Sequence, residues 1–144
     1  IGQAQTGTGK TGAFGLPALH LLQQNPGSQM LVMTPTRELA KQVSDELYRF
    51  SKNLGIRTAT ICGGKSFKGQ IESLQRGVQV LVATPGRLLD HLQKTESLLL
   101  NLKRKLQWLV LDEADRLLDM GLGDQVKQIV QLIRANEASK SQPW

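Results

Sequence analysis

Apolar residues along this chain alternate between two rhythms, short near-continuous runs and longer stretches at helical spacing. The runs at Ile1–Gln3, Gln29–Thr34, Arg57–Cys62, Val78–Thr84 and Leu106–Asp112 predict strands, several so uniformly apolar that both faces must be covered. Helical spacing fills the intervals. Thr11–Gln23 ends before the turn signal Asn25-Pro26-Gly27. Arg37–Leu54 carries Leu39, Ala40, Val43, Leu47 and Phe50 on one stripe, with Gly55 where a C-terminal cap belongs. Phe67–Arg76 closes on Gly77, and Thr84-Pro85 opens a further helix as N-cap and first residue, with Leu88, Leu89 and Leu92 inward. In Asp124–Ala135, Val126, Ile129, Val130 and Ile133 fall at core spacing. Such alternation predicts an α/β domain, a mostly parallel sheet flanked by helices on both faces.

Composition narrows this picture. With 144 residues, 40% of them apolar, the chain suits one domain with a single core. Its start at Ile1 and its end at Ser141-Gln142-Pro143-Trp144 read as the bounds of a piece of something longer. A net charge of +6 and a pI near 9.8 suit an anionic partner better than the alternative, a piece whose balancing charges lie elsewhere. The lone Cys62 excludes an internal disulfide framework and points to a reducing, intracellular compartment: cytoplasm in a bacterium, cytoplasm or nucleus and nucleolus in a eukaryote. Within Thr58–Cys62 it reads as a small buried hydrophobe. His20 and His91 have no Cys or His at ligand spacing, so no structural metal is expected. No apolar run approaches membrane-span length, so no membrane partner is expected either. Lys103-Arg104-Lys105 reads as a solvated loop rather than a binding patch.

Two motifs carry chemistry. Ala4-Gln5-Thr6-Gly7-Thr8-Gly9-Lys10-Thr11 fits a phosphate loop, with Ala4 in the leading glycine position. Gly7 and Gly9 let the backbone approach an anion and turn N–H groups toward a phosphate. Lys10 supplies a point charge to the β and γ oxygens, Thr11 a hydroxyl for Mg²⁺, and the following helix an N-terminal dipole. By itself this stretch could also be a glycine-rich turn. Gly7–Gly12 matches a dinucleotide fingerprint as well, but that reading needs an acid about twenty residues on. Pro26–Thr36 contains none, and Glu38 comes too late. The second motif follows Trp108-Leu109-Val110-Leu111, which delivers Asp112 to a strand's C-terminal end beside Glu113. Asp112 alone could be a helix N-cap. Paired with a phosphate loop, Asp112 suits Mg²⁺ and Glu113 suits an attacking water, as nucleoside triphosphate hydrolysis requires.

The tetrapeptide Asp112-Glu113-Ala114-Asp115 resembles the signature of the DEAD-box RNA helicases. Further blocks follow that family's order: Ala4–Thr11, Pro35-Thr36-Arg37-Glu38-Leu39-Ala40, Gly63-Gly64, Thr84-Pro85-Gly86-Arg87 and Arg116-Leu117-Leu118-Asp119-Met120-Gly121. The resemblance covers essentially the whole chain and implies a RecA-like P-loop NTPase fold. Residues 1–144 would be part of the N-terminal, ATP-binding domain of two. Ala4 is then the family's own form, and Leu122, where many relatives carry Phe, a packing change. The upstream Gln-containing motif, the downstream Ser-Ala-Thr motif and the second domain with its arginine fingers are not within these residues. In the family's sheet the Ser-Ala-Thr strand lies between the phosphate-loop strand and the acid-bearing strand. Without it those neighbours are expected to be left unpaired, and the piece alone poorly stable and nearly inactive.

The implied activity is that of an ATP-dependent RNA helicase, using ATP and Mg²⁺ to unwind or remodel RNA duplexes and RNA–protein complexes. Residue by residue, the resemblance assigns ATP binding to Ala4, Gln5, Thr6, Gly7, Thr8, Gly9, Lys10 and Thr11. It assigns catalysis to Lys10, Asp112 and Glu113, metal binding to Thr11 and Asp112, and coupling to the Ser-Ala-Thr motif to Asp115. RNA would lie along Pro35, Thr36, Arg37, Glu38, Gly63, Gly64, Thr84, Pro85, Gly86 and Arg87. Their backbone N–H groups, hydroxyls and guanidinium groups suit phosphate and sugar, not base edges. The implied partners are RNA and the second RecA-like domain of the same chain. Two rival readings share some of these features: a P-loop motor or transporter subunit that makes no use of Pro35–Glu38 or Thr84–Arg87, and an inert RNA-binding scaffold.

Overall fold

The computed structural model describes residues 2–4, 10–64, 66–75 and 77–135, with the backbone alone for residues 2–4, 10, 67, 73 and 75. Its elements are β1 (Gly2–Ala4), α1 (Lys10–Gln24), β2 (Gln29–Met33), α2 (Arg37–Ser51), β3 (Thr58–Ile61) and α3 (Phe67–Gln75). They continue with β4 (Val80–Ala83), α4 (Pro85–Lys94), α5 (Glu96–Lys105), β5 (Leu106–Asp112), α6 (Ala114–Asp119) and α7 (Gly123–Ala135). The strands form one sheet in the order β1-β5-β2-β4-β3, with every pairing parallel.

Strand periodicity divides the core into two layers, because successive side chains leave opposite faces. Met30 and Val32 of β2, Val80 and Val82 of β4 and Val110 of β5 pack with Leu19 and Leu22 of α1 and Val43 and Leu47 of α2. Leu31, Met33, Leu81 and Ala83 point the other way, onto Leu88 and Leu92 of α4, Leu98 and Leu102 of α5 and Ile129 of α7. Each fully buried side chain of this size contributes about 1.5–3 kcal/mol. The first layer is tight: a Cβ at Gly15 of α1 would lie 2.7 Å from Leu47 Cδ2 of α2, so only glycine allows this approach.

The predicted parallel sheet with helices on both faces is the one observed, and Leu106–Asp112 is a strand over the predicted span. Other boundaries shift by a residue or two. Some expectations fail. α2 stops at Ser51, where Lys52 N donates to Tyr48 O, and Gly55, at φ 72°, ends the following turn rather than capping the helix. Phe50 sits on the rim, 36% exposed. Lys103-Arg104-Lys105 is no loop but the last turn of α5, a helix that the flat run Leu98-Leu99-Leu100 conceals. Cations there meet the negative end of the helix dipole. Most consequential, the phosphate-loop strand and the acid-bearing strand, expected to be left unpaired, pair directly with each other. Gly2 pairs with Val110, Gln3 with Leu111 and Ala4 with Asp112. Closing this gap lets β1 and β5 satisfy each other's backbone groups, each of which would cost about 1–3 kcal/mol if buried unpaired.

Candidate functional site

A parallel sheet gathers the C-terminal ends of all its strands on one edge, where ligands of open α/β sheets bind. The register sets the order along that edge. Ala4 pairs with Asp112, Met33 with both Leu111 and Ala83, and Ile61 with Ala83. Two bonds carry the pairing past the strand ends, Thr34 N to Ala83 O at 2.9 Å and Thr84 N to Ile61 O at 3.0 Å. From β1 to β3, therefore, come the phosphate-loop entry, Asp112-Glu113, Pro35–Glu38, Thr84–Arg87 and Gly63-Gly64.

At the β1–β5 end, Gln5, Thr6, Gly7, Thr8 and Gly9 lie outside the described residues, while Lys10 begins α1, so the loop runs into a helix N-terminus. Thr11 is 1% exposed, and its Oγ1 has no hydrogen-bond partner among the described residues. Asp112 is fully buried at the end of β5. A buried hydroxyl without a partner and a buried carboxylate are hard oxygen donors of the kind Mg²⁺ takes, so these residues fit that ion. Glu113 is the one non-glycine residue with positive φ among those described, at φ 56° and ψ 51°. A side chain in this left-handed region costs roughly 1–2 kcal/mol, and such strain clusters at functional sites. Although Glu113 occupies the N-cap position of α6, its side chain makes no capping bond, so helix capping does not explain the acid. Asp115 is exposed on α6.

The other end is assembled from three turns. Pro35 is buried, and Thr36 caps α2, its Oγ1 accepting from Leu39 N at 3.1 Å. The acceptor side of that hydroxyl is thus committed to the helix. Arg37 and Glu38 are exposed. Arg37 lies over Gly64, whose φ is 85°; a Cβ at Gly64 would collide with Arg37 Nη1. Glycine is required here twice over, for the backbone angle and for the close approach. Gly63 is exposed beside it. Thr84 stands at the N-cap of α4 without a side-chain capping bond, followed by the buried Pro85. Gly86 is exposed and faces Gln125 of α7, whose Oε1 would lie 3.5 Å from an added Cβ. Arg87 is half-buried, and its Nε donates to Gln70 Oε1 at 3.3 Å.

Gln70 and His91 take part in this assembly, although none of the sequence blocks includes them. Gln70 Nε2 donates to the backbone oxygen of Cys62 at 2.8 Å, and its Oε1 lies 2.8 Å from His91 Nε2. His91 is fully buried. Burial, with the Arg87 cation adding to it, holds its pKa below the ordinary 6.5. The only available hint was the i, i+4 spacing of Arg87 and His91 on α4. A cavity between α3 and α5, lined by Ile71, Leu74, Val78 and Leu98, collects none of these residues.

A phosphate-loop strand entering a helix, with a buried aspartate ending the neighbouring parallel strand, defines a RecA-like P-loop domain. Comparison with known proteins agrees. The model of the DEAD/DEAH box helicase family matches residues 1–142, and the chain belongs to that family. It is 47% identical over 136 residues to the ATP-dependent RNA helicase CshA of Listeria monocytogenes, covering 94% of this chain and 25% of that protein. It is 49% identical over 129 residues to the DEAD-box ATP-dependent RNA helicase RhpA of Helicobacter pylori, covering 90% of this chain and 25% of that one. The chain thus spans about a quarter of the length of these curated relatives. Among solved structures, the yeast DEAD-box splicing factor Prp28 superposes with a TM-score of 0.81 at 36% identity, covering 94% of this chain and 33% of that one. A hypothetical ATP-dependent RNA helicase from Sulfolobus tokodaii gives a TM-score of 0.76 at 35% identity, covering 91% and 38%. Among the described residues no helix is long and apolar enough to cross a membrane.

Proposed function

We propose that these residues form most of the ATP-binding domain of an ATP-dependent RNA helicase, which remodels RNA duplexes and RNA–protein complexes together with a second RecA-like domain. The observation that carries this reading is the single edge on which the acid pair and the three arginine- and glycine-bearing turns follow one another without interruption. Lys10 and the loop amides would grip the β- and γ-phosphates of ATP, and Thr11 and Asp112 would hold Mg²⁺. When bound, Mg²⁺ supplies positive charge against the phosphate oxygens. Glu113 orients a water and takes its proton as the water oxygen bonds to the γ-phosphorus and ADP leaves. Arg37, Arg87, Thr84 and the exposed amides at Gly64 and Gly86 track the RNA backbone, so binding is indifferent to base sequence. Asp115 would pass the state of the nucleotide toward the Ser-Ala-Thr motif. A reducing, intracellular setting suits the single buried Cys62.

The test is ATP hydrolysis by the full-length protein with and without single-stranded RNA, beside Glu113→Gln. RNA should stimulate the native protein. The variant should keep its nucleotide affinity and lose about 10²–10⁴-fold in turnover, as expected when a general base is removed. Equal loss of affinity and turnover would make Glu113 structural, and RNA-indifferent hydrolysis would favour the motor or transporter reading.

A further inference from the structure

Gln70 is buried on α3, a helix that none of the sequence blocks includes, yet its carboxamide joins two of them. A backbone carbonyl can only accept, so the bond to Cys62 O fixes the NH₂ group on that side. The Oε1 is thereby turned toward α4, where it receives Arg87 Nε–H at 3.3 Å and meets His91 Nε2 at 2.8 Å. The same oxygen serves both, which requires the His91 ring to carry its proton on Nε2. His91 is fully buried on α4, so its ring meets the amide away from solvent. Cys62 immediately precedes Gly63-Gly64, and Arg87 ends the Thr84-Pro85-Gly86-Arg87 turn.

From this geometry we infer that Gln70 is a positioning residue for RNA binding. It fixes the Arg87 side chain at Nε and ties it to the backbone of the Gly63-Gly64 turn, so that the two turns present one preset surface to the RNA backbone. The inference rests on the proposed reading of Arg87 as an RNA-backbone contact. An arginine side chain has several rotatable bonds and loses considerable rotamer freedom when it binds. A hydrogen bond at Nε reduces that loss before RNA arrives. His91 contributes by filling the second lone pair of Oε1 with a neutral donor. A protonated ring there would set a second positive charge against Arg87.

The test uses the full-length protein and a fluorescein-labelled oligouridylate, with anisotropy read at several KCl concentrations in the presence of a non-hydrolysable ATP analogue. Gln70→Met keeps the volume and removes both hydrogen-bonding groups. It should weaken RNA binding about tenfold, the scale of one charge-assisted hydrogen bond. It should also lower the salt slope in the same direction as Arg87→Ala, for which the loss is roughly 0.7 per phosphate contact on a single strand. Affinity for the nucleotide without RNA should not change. The double variant should bind no worse than Arg87→Ala alone, because the effect of Gln70 passes through Arg87. Native RNA affinity in Gln70→Met, or additive losses in the double variant, would overturn the positioning role while leaving the RNA reading intact. Native affinity and slope in Arg87→Ala would overturn that reading and this inference with it. Should Gln70→Met lose its cooperative thermal transition, the native protein decides: its Arg87 Nε–H, assigned by its loss in Arg87→Ala, must be protected from solvent exchange. A rapidly exchanging signal would rule the bond out.

Discussion

The two ends of the functional edge are built differently. At the nucleotide end, β1 meets β5 over three paired positions, and Trp108 of β5 remains 37% exposed. The chemistry proposed for it would depend on a few side chains, Thr11 and Asp112 buried and Glu113 held in the left-handed region. At the proposed nucleic-acid end, β2 and β4 are covered on both faces, and the turns beyond them are joined by Gln70 and by the Arg37–Gly64 contact. The difference fits the two tasks proposed for these ends. Phosphoryl transfer needs a small number of charges in the right place, whereas a backbone-tracking surface needs several turns kept at a fixed distance from one another. The first can be carried by a short motif, but the second needs the sheet.

The contrast can be broken most sharply at Lys10. In the full-length protein Lys10→Ala should lower ATP hydrolysis by at least about 10²-fold, the scale of one lost charge on a transferring phosphoryl group, while nucleotide-free RNA affinity stays native. A parallel loss of both would mean that the two ends are not separable.

Packing should divide the ends next. Leu31→Ala, in the middle of β2, should destabilise by about 2–5 kcal/mol, against less than about 1 kcal/mol for Trp108→Asn on the open side of β5. Chemical denaturation compares them, and equal costs would refute the difference in packing between the two ends.

A smaller effect is expected at Gly64, where alanine should cost about 1–2 kcal/mol because φ is positive. Since the atom it displaces is the flexible end of Arg37, RNA affinity should fall more than thermal stability does. A stability loss with native RNA binding would mean that Arg37 does not face the RNA.

The smallest signal is the pH dependence contributed by His91. Its folded pKa lies below the ordinary 6.5, so the unfolded chain takes up a proton first as pH falls. The stabilisation is fully present above pH 6.5 and is lost between there and the lower folded value, at no more than about 1.4 kcal/mol per pH unit. His91→Gln should flatten denaturation midpoints across that window, and an unchanged pH slope would place the dependence elsewhere.

Much of this molecule was legible before any coordinates. The strand run Leu106–Asp112, the phosphate-loop pattern and the acid pair are local signals, because hydrophobic period and residue type act over a few neighbours. Helix α5 was not legible, since consecutive leucines blur the period, and the stop of α2 at Ser51 depended on a turn whose last residue is the glycine. The direct pairing of β1 with β5 is a relation between segments far apart in the chain, as are the placement of Arg37 over Gly64 and the sharing of Gln70 by Cys62, Arg87 and His91. No periodicity encodes these contacts. Local spacing marked the chemistry proposed for the chain, and the parallel register together with helix packing decided which of its residues meet, because only a folded sheet brings strand ends distant in sequence onto one edge.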